Sequence, residues 1–208
     1  NTNDGSCLYY GCMDESACNY NEQATTGDGS CAYAQDGYNC QGNLMVGEIG
    51  DTINGGILFY LDETGQHGLV AAMEDLGQFE WGCYGTDING YSSNVSPELV
   101  GIGTGLQNTL EIVSGCSDTP IAASEALAYE SEDYSDWFLP SKDELVEMYN
   151  TIGNGGLEGN IGGFENNWYW SSSENGITGA WRVGFSNGDS NINYYKYKTL
   201  RVRAVRAF

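Results

Sequence analysis

The chain has 208 residues, 40% of them hydrophobic, with 30 glycines and 3 prolines. That length and apolar content suit one full domain plus a small appendage, and exclude a globally disordered chain. Its 29 acids against 7 bases give a net charge of −22 and it has no apolar run of bilayer-spanning length, which argues against nucleic-acid binding and against membrane insertion.

The charge is unevenly spread. Residues 1–141 hold 22 of the acids and no Lys or Arg, and the 7 remaining acids are matched by the 7 bases from Lys142 onward. A solvated acidic surface is the plain role of such charge. The chain opens without an initiator Met or a leader and inside a repeat, so a mature or cleaved piece of a longer precursor is expected. Five of seven cysteines (Cys7, Cys12, Cys18, Cys31 and Cys40) precede residue 41. No C-x-x-C pair occurs and the one histidine, His67, is remote. The pattern reads as a disulfide framework in an exported protein, secreted or attached to the cell surface, rather than a zinc site.

The first segment carries an internal repeat. Asn3-Asp-Gly-Ser-Cys-Leu-Tyr9 matches Gly27-Asp-Gly-Ser-Cys-Ala-Tyr33 at a spacing of 24 residues. The first copy is only a tail, and the complete copy starts at Gly11. So few apolar residues need covalent staples to hold a shape, and spacing alone leaves their connectivity open. The run Gly11-Cys-Met-Asp-Glu-Ser-Ala-Cys-Asn-Tyr-Asn, closed by Asp28-Gly-Ser-Cys31, resembles the tandem modules of large exported bacterial surface proteins. That resemblance, over residues 3–33, implies Cys12–Cys31 and Cys18–Cys40 bridges, with Cys7 free or paired to an upstream Cys. The Asp-Gly-Ser turns offer carboxylate and carbonyl oxygens, so calcium near Asp4, Asp14 and Asp28 is the one candidate cofactor. A plain turn closing a disulfide loop is the simpler account. This module, with little regular structure, is assigned residues 1–43.

Residues 44–208 form the second domain. A turn at Asn54-Gly55 precedes a strand through Leu61, Asp62-Glu-Thr-Gly65 is a hairpin turn, and Gly68–Ala72 is the return strand. Three helices follow. Gly105–Val113 has apolar residues at 106, 110 and 113, the i, i+4, i+7 pattern of a helix. Pro120–Ala128 starts with proline. Ser141–Tyr149 starts with a capping box, Ser141 with Glu144, and turns Leu145 and Met148 inward. Residues 153–163 contain six glycines and read as a loop. From Phe164 onward, aromatic and β-branched residues alternate with polar ones between turns, as strands do. Trp170 and Trp181 read as core and Trp168 as partly so. Arg201, Arg203 and Arg206 read as partners of local carboxylates.

Gly55-Gly-Ile-Leu-Phe-Tyr, His67-Gly-Leu-Val-Ala-Ala, Trp81-Gly-Cys, Gly103-Thr-Gly, Asp136-Trp-Phe-Leu-Pro-Ser-Lys-Asp-Glu-Leu, Tyr169-Trp-Ser-Ser and Arg201-Val-Arg-Ala-Val-Arg occur in that order. Together they resemble the C-terminal domain of bacterial collagen-like adhesins, akin to the major paralogous domains of fibre-degrading bacteria, over about residues 46–208. The resemblance implies an α+β, C-type-lectin-like fold: a twisted antiparallel sheet, two to three helices and long ligand-bearing loops. It also implies a surface adhesion or ligand-display role, trimeric in some members, and no catalytic residues. Relatives with hypervariable C-terminal loops suggest display by the turns between the last strands. The candidate ligand residues are Asn166, Trp168, Tyr169, Glu174, Asn175, Asp189, Asn191, Asn193, Tyr194, Tyr195 and Tyr197. The calcium-binding motifs of sugar-binding lectins are missing, so calcium-dependent sugar binding at the usual place is not expected.

Enzyme readings are weak. Gly184-Phe-Ser-Asn-Gly188 fits the serine-hydrolase pattern, but Asn187-Gly188 is a hairpin signal and the elbow needs strand, turn and helix. The acidic pairs Asp62-Glu63, Glu74-Asp75 and Glu132-Asp133 are sequence neighbours, not carboxylates opposed across a cleft. The fold family includes formylglycine-generating oxidases, for which Cys83 and Cys116 are the candidates. A structural Cys83–Cys116 bridge is expected instead. The expected function is extracellular recognition of a glycan or protein on another surface. The alternative is a structural subunit of a self-assembling extracellular fibre.

Overall fold

The computed structural model describes residues 8–35, 37–43, 45–88 and 100–208, and at 191–193 the backbone alone. Cys7 and Asp4 lie outside the described residues. The chain divides into two compact units: Asn1–Val46 with Asp62–Gln66, and Gly47–Leu61 with His67–Phe208.

The first unit is held by covalent and backbone bonds, because it has almost nothing to bury. Cys12 and Ala17 are its buried apolar residues among those described. Disulfides join Cys12 to Cys31 and Cys18 to Cys40. Its strands β1 (Tyr10–Gly11) and β2 (Thr26–Gly27) pair in parallel. Asn19 clamps the return of the chain. Its amide donates to the Ser30 carbonyl and accepts from the Ala32 N–H, each at 2.7 Å.

The second unit mixes α and β structure. Strands β3 (Thr52–Ile53), β4 (Gly56–Leu61), β5 (Gly68–Ala71) and β11 (Val205–Ala207) form a four-stranded antiparallel sheet in the order β11-β5-β4-β3. Strands β6 (Gly77–Glu80), β7 (Trp168–Glu174), β8 (Gly179–Gly184), β9 (Ser190–Tyr195) and β10 (Thr199–Val202) form a second sheet in the order β6-β10-β7-β8-β9. The expectation of one antiparallel sheet is corrected here. Among the described residues this unit has two sheets, and β10 meets β7 in parallel. The crossing is carried by Arg203, which is buried between β10 and β11. It donates to Asp75 at 2.7 Å and to the Ala72 and Gly162 carbonyls at 2.9 and 3.0 Å. A buried guanidinium needs such a complete set of acceptors.

Among the described residues, three helices complete the unit: α1 (Gly105–Gly115), α2 (Ala122–Ala128) and α3 (Lys142–Thr151). The box at α3 forms, with the Glu144 N–H donating to Ser141 Oγ and Glu144 Oε2 accepting from the Ser141 N–H. Glu144 Oε1 also accepts from the Gly103 and Gly105 N–H groups. One buried carboxylate therefore serves the starts of both α1 and α3. Burial raises its pKa above the ordinary glutamate value, against the pull of these hydrogen bonds.

The apolar stripe of α1 faces outward: Leu106, Leu110 and Val113 are 38% to 46% exposed, while Gly105, Asn108, Thr109 and Ile112 are buried. A side chain at Gly105 would meet Glu144 Oε2 at 2.3 Å and Phe138 at 2.8 Å, so close approach selects the face of small residues. Three local expectations are corrected. The second helix starts after Ile121, leaving Pro120 outside. Strand β7 does not alternate in and out. Its serines 171 to 173 are all buried, and each is answered: Ser171 Oγ donates to the Trp181 carbonyl, the Ser172 N–H to the Pro140 carbonyl, and Ser173 Oγ accepts from the Lys142 N–H. A central strand covered on both faces needs such satisfaction. Trp170 is fully buried, but Trp181 is only half-buried beneath Lys142.

Candidate functional site: a tyrosine end on the five-stranded sheet

The turn joining β7 to β8 and the end of β9 lie at the same end of the sheet, because β7–β8 and β8–β9 are both antiparallel. The Lys196 N–H donates to the Thr178 carbonyl across them, at 3.0 Å. A third segment joins them, since the Gly85 N–H donates to the Ile177 carbonyl at 2.7 Å. These three segments present Tyr84, Ile177, Tyr195 and Tyr197, all between 43% and 51% exposed. Tyr195 and Tyr197 stack with ring centres 5.4 Å apart and 12° between planes. Tyr84 meets both edge-on, at 6.0 and 5.1 Å.

The cluster rests on a rigid support. Between its two stacked tyrosines, Lys196 turns inward and is fully buried. It pairs with the equally buried Glu174, donates to the Thr86 carbonyl at 2.9 Å, and stands 4.4 Å over the Trp81 ring. Burial lowers the pKa of Lys196, while its contact with Glu174 pulls the other way. Glu174 also accepts from the Ile88 N–H at 3.1 Å. The Trp81 N–H donates to the Lys196 carbonyl at 2.9 Å. Beside Tyr84, Cys83 is joined to Cys116, and its N–H donates to Asp118 at 2.7 Å. The three segments are therefore fixed by an ion pair, a disulfide and backbone bonds before any partner arrives.

The candidate residues from the sequence fall in several places. Tyr195 and Tyr197 are in the cluster, with half-buried Asn175 beside it. Glu174 lies beneath, buried, and so does not contact a ligand directly. Tyr169 is also withdrawn: it is fully buried, donates to Asp75 at 2.7 Å and accepts from the Glu165 N–H at 2.9 Å. Burial and the Asp75 contact raise its pKa strongly. Trp168 and Tyr194 flank Arg182 on the sheet face. Asn166 and Asp189 sit at the opposite end of β7 and β8, where the Phe185 N–H donates to the Asn167 carbonyl. There Asn166 accepts from Asn154, and Asp189 from Asn187. Asn191 and Asn193 lie in β9, and their side chains are outside the described residues. Tyr84 was missed, because nothing near it in sequence marks it; the disulfide beside it brings it to the cluster.

The other motifs resolve simply. Ser186 of the G-x-S-x-G run is in a hairpin turn closed by the Gly188 N–H on the Gly184 carbonyl. Asp14 accepts from Ser16 and Tyr33, and Asp28 from the Ser30 N–H, so both carboxylates cap their own turns. These bonds hold both pKa values below the ordinary aspartate value. Among the described residues, one group of three potential metal ligands lies close together: Cys83, Cys116 and Asp118. Its two sulfurs are already joined to each other. A groove of about 310 Å³ is lined by Ile49, Leu157 and Ile161 together with Asn150, Thr151 and Glu158. No described helix is long and apolar enough to cross a membrane.

No protein-family model and no curated protein matches the chain. Among solved structures, the chain is similar to a fimbrial protein from Bacteroides ovatus, at 16% identity and a TM-score of 0.48. The match covers 90% of this chain and 50% of the other, so the chain spans half the length of that protein. A score at this level is too low to establish a shared fold.

Proposed function

We propose that this chain is a segment of an exported bacterial surface protein that works by contact rather than catalysis. Its larger unit is a lectin-like display domain, preceded by a disulfide-stapled spacer module, and it engages a glycan or protein on another surface through its tyrosine end. The observation carrying this is the set of four large, exposed apolar residues fixed over a buried Lys196–Glu174 pair. Tyrosines supply broad contact area at low conformational cost, and support that is already rigid leaves little ordering entropy to be lost on binding. The ordered motifs of the second unit and the three disulfides agree with that setting.

Glycan and surface-protein arrays probed with the intact chain, and with a Tyr84→Ala/Tyr195→Ala/Tyr197→Ala variant, test this reading. Retained folding with binding reduced at least about tenfold is expected, since several central aromatics are removed. Absence of any ligand at every salt and calcium concentration would refute it.

A second reading, a structural subunit of an extracellular fibre or appendage, is favoured by the exposed α1 stripe of Leu106, Leu110 and Val113. Outward apolar rows of this kind mark contact faces. Sedimentation at rising concentration separates the two. Assembly abolished by Leu110→Glu supports the fibre, and a monomer at every concentration removes it.

A further inference from the structure

Three phenols meet at the tyrosine end, and among the described residues they are the tyrosines in ring contact with one another. Tyrosines elsewhere pack on phenylalanine or tryptophan, as Tyr129 does on Trp137 and Tyr149 on Phe185. The closest pair is Tyr84 and Tyr197, with ring centres 5.1 Å apart and 72° between planes. Edge-on contact directs a ring-edge carbon of one phenol at the π face of the other. Both rings are exposed, so an oxidant in solution reaches them, whereas Tyr169 is fully buried.

The backbone holds this pair in place. The Gly85 and Lys196 N–H groups donate to the adjacent carbonyls of Ile177 and Thr178. One turn therefore carries the chain neighbour of each ring. Cys83 is bridged to Cys116, and the Lys196 side chain is buried on Glu174. Two reactive groups kept together in this way couple as an intramolecular step, with the advantage of a very high local concentration.

We propose that Tyr84 and Tyr197 form an oxidative cross-linking site, joined as dityrosine by a one-electron oxidant of the haem-peroxidase class using hydrogen peroxide. Each phenol gives up one electron and one proton, and the two phenoxyl radicals couple through ring carbons ortho to their oxygens. The hydrogens on those two carbons then move to the oxygens and restore both hydroxyls. One hydrogen peroxide takes up the two electrons and two protons and leaves as two waters. The new carbon–carbon bond ties the segment after Cys83 to the turn after β9. It closes a long loop of the unfolded chain and so stabilises the fold. The inference uses the ring geometry alone, and it stands or fails independently of any ligand at the tyrosine end.

Treating the intact chain, at low concentration, with a haem peroxidase and limiting hydrogen peroxide tests the proposal. The expected product is a monomer two hydrogen atoms lighter, with dityrosine fluorescence and a digest peptide that joins Tyr84 to Tyr197. Its urea midpoint is expected to rise. The exposed Met13 and Met73 take up oxygen instead, which raises the mass and is told apart on that ground. Tyr84→Phe and Tyr197→Phe are each expected to lose the monomer fluorescence, while Tyr9→Phe/Tyr10→Phe, which alters two exposed tyrosines of the first unit, keeps it. Cross-links mapped to other tyrosines, covalent dimers without the intramolecular product, or an undiminished yield in the Tyr84→Phe variant would overturn the site.

Discussion

Replacing Lys196 with Met removes the centre of the support under the tyrosine cluster. Methionine fills similar volume but takes away the ammonium that answers Glu174 and the Thr86 carbonyl, and that stands over Trp81. Both charged side chains are fully buried, so solvent cannot replace the lost partner. Leaving one member of a buried pair costs about 3–5 kcal/mol. At about 2–4 °C per kcal/mol for a domain of this size, the midpoint of thermal unfolding falls by roughly 6–20 °C. Glu174→Gln, which leaves Lys196 with the Thr86 carbonyl and the ring, sits at or below the lower end of that range. The double variant is expected to recover at least about 2 kcal/mol of the summed losses, because two neutral groups avoid the stranded charge. Urea unfolding followed by tryptophan fluorescence, with disulfides intact, measures all four corners of the cycle. Single losses under about 0.5 kcal/mol with no coupling would refute the reasoning, since surface substitutions behave that way.

Glu144 makes a pH prediction with a definite sign. Its folded pKa is raised by burial, so its protonation stabilises the fold. That contribution is fully present below the ordinary glutamate value and is lost as pH rises through the folded value. The stability difference between wild type and Glu144→Gln should therefore move in favour of wild type as urea midpoints are taken from pH 7 towards pH 4. Cys83→Ser/Cys116→Ser removes a bridge of sequence separation 33. A loss of about 2–4 kcal/mol is expected in calorimetry, together with weaker contacts of Tyr84. Gly188 has φ of +75° and a side chain there would meet the Tyr149 ring at 2.5 Å, whereas Gly163, at φ +64°, faces open space. Gly163→Ala should therefore cost about 1 kcal/mol in denaturation, and Gly188→Ala about 1–3 kcal/mol more.

Local signals were legible where the physics is local. The Ser141–Glu144 box spans three residues, and the structure forms it. The repeat closes through Cys12 and Cys31, and Asn187-Gly188 turns the β8–β9 hairpin. Leucines at helical spacing marked α1 as a helix without saying which face packs, and the tight approach of Gly105 to Glu144 and Phe138 selected the face of small residues. Polar serines in β7 looked outward because their partners, Pro140, Lys142 and Trp181, come from other elements.

By itself the sequence marked the capped helix at Ser141, the hairpin turns and the stapled loops, since capping and cysteine pairing act over short distances or through covalent bonds; it read Ser190–Tyr197 as a stretch between strands, where the structure has β9, and gave no sign of β6. It also set the acidic surface and the absence of a bilayer-spanning run. Only the tertiary structure decided which aromatic residues are frame and which are surface. Tyr169 and Tyr195 look alike in sequence, yet one is buried on Asp75 while the other stacks in the open on Tyr197. The same holds for the cations: Arg203 is closed in by three acceptors, and Arg182 is left with two aromatic rings. Those outcomes depend on which distant strand and loop arrive beside each side chain, and that is information only the folded chain contains.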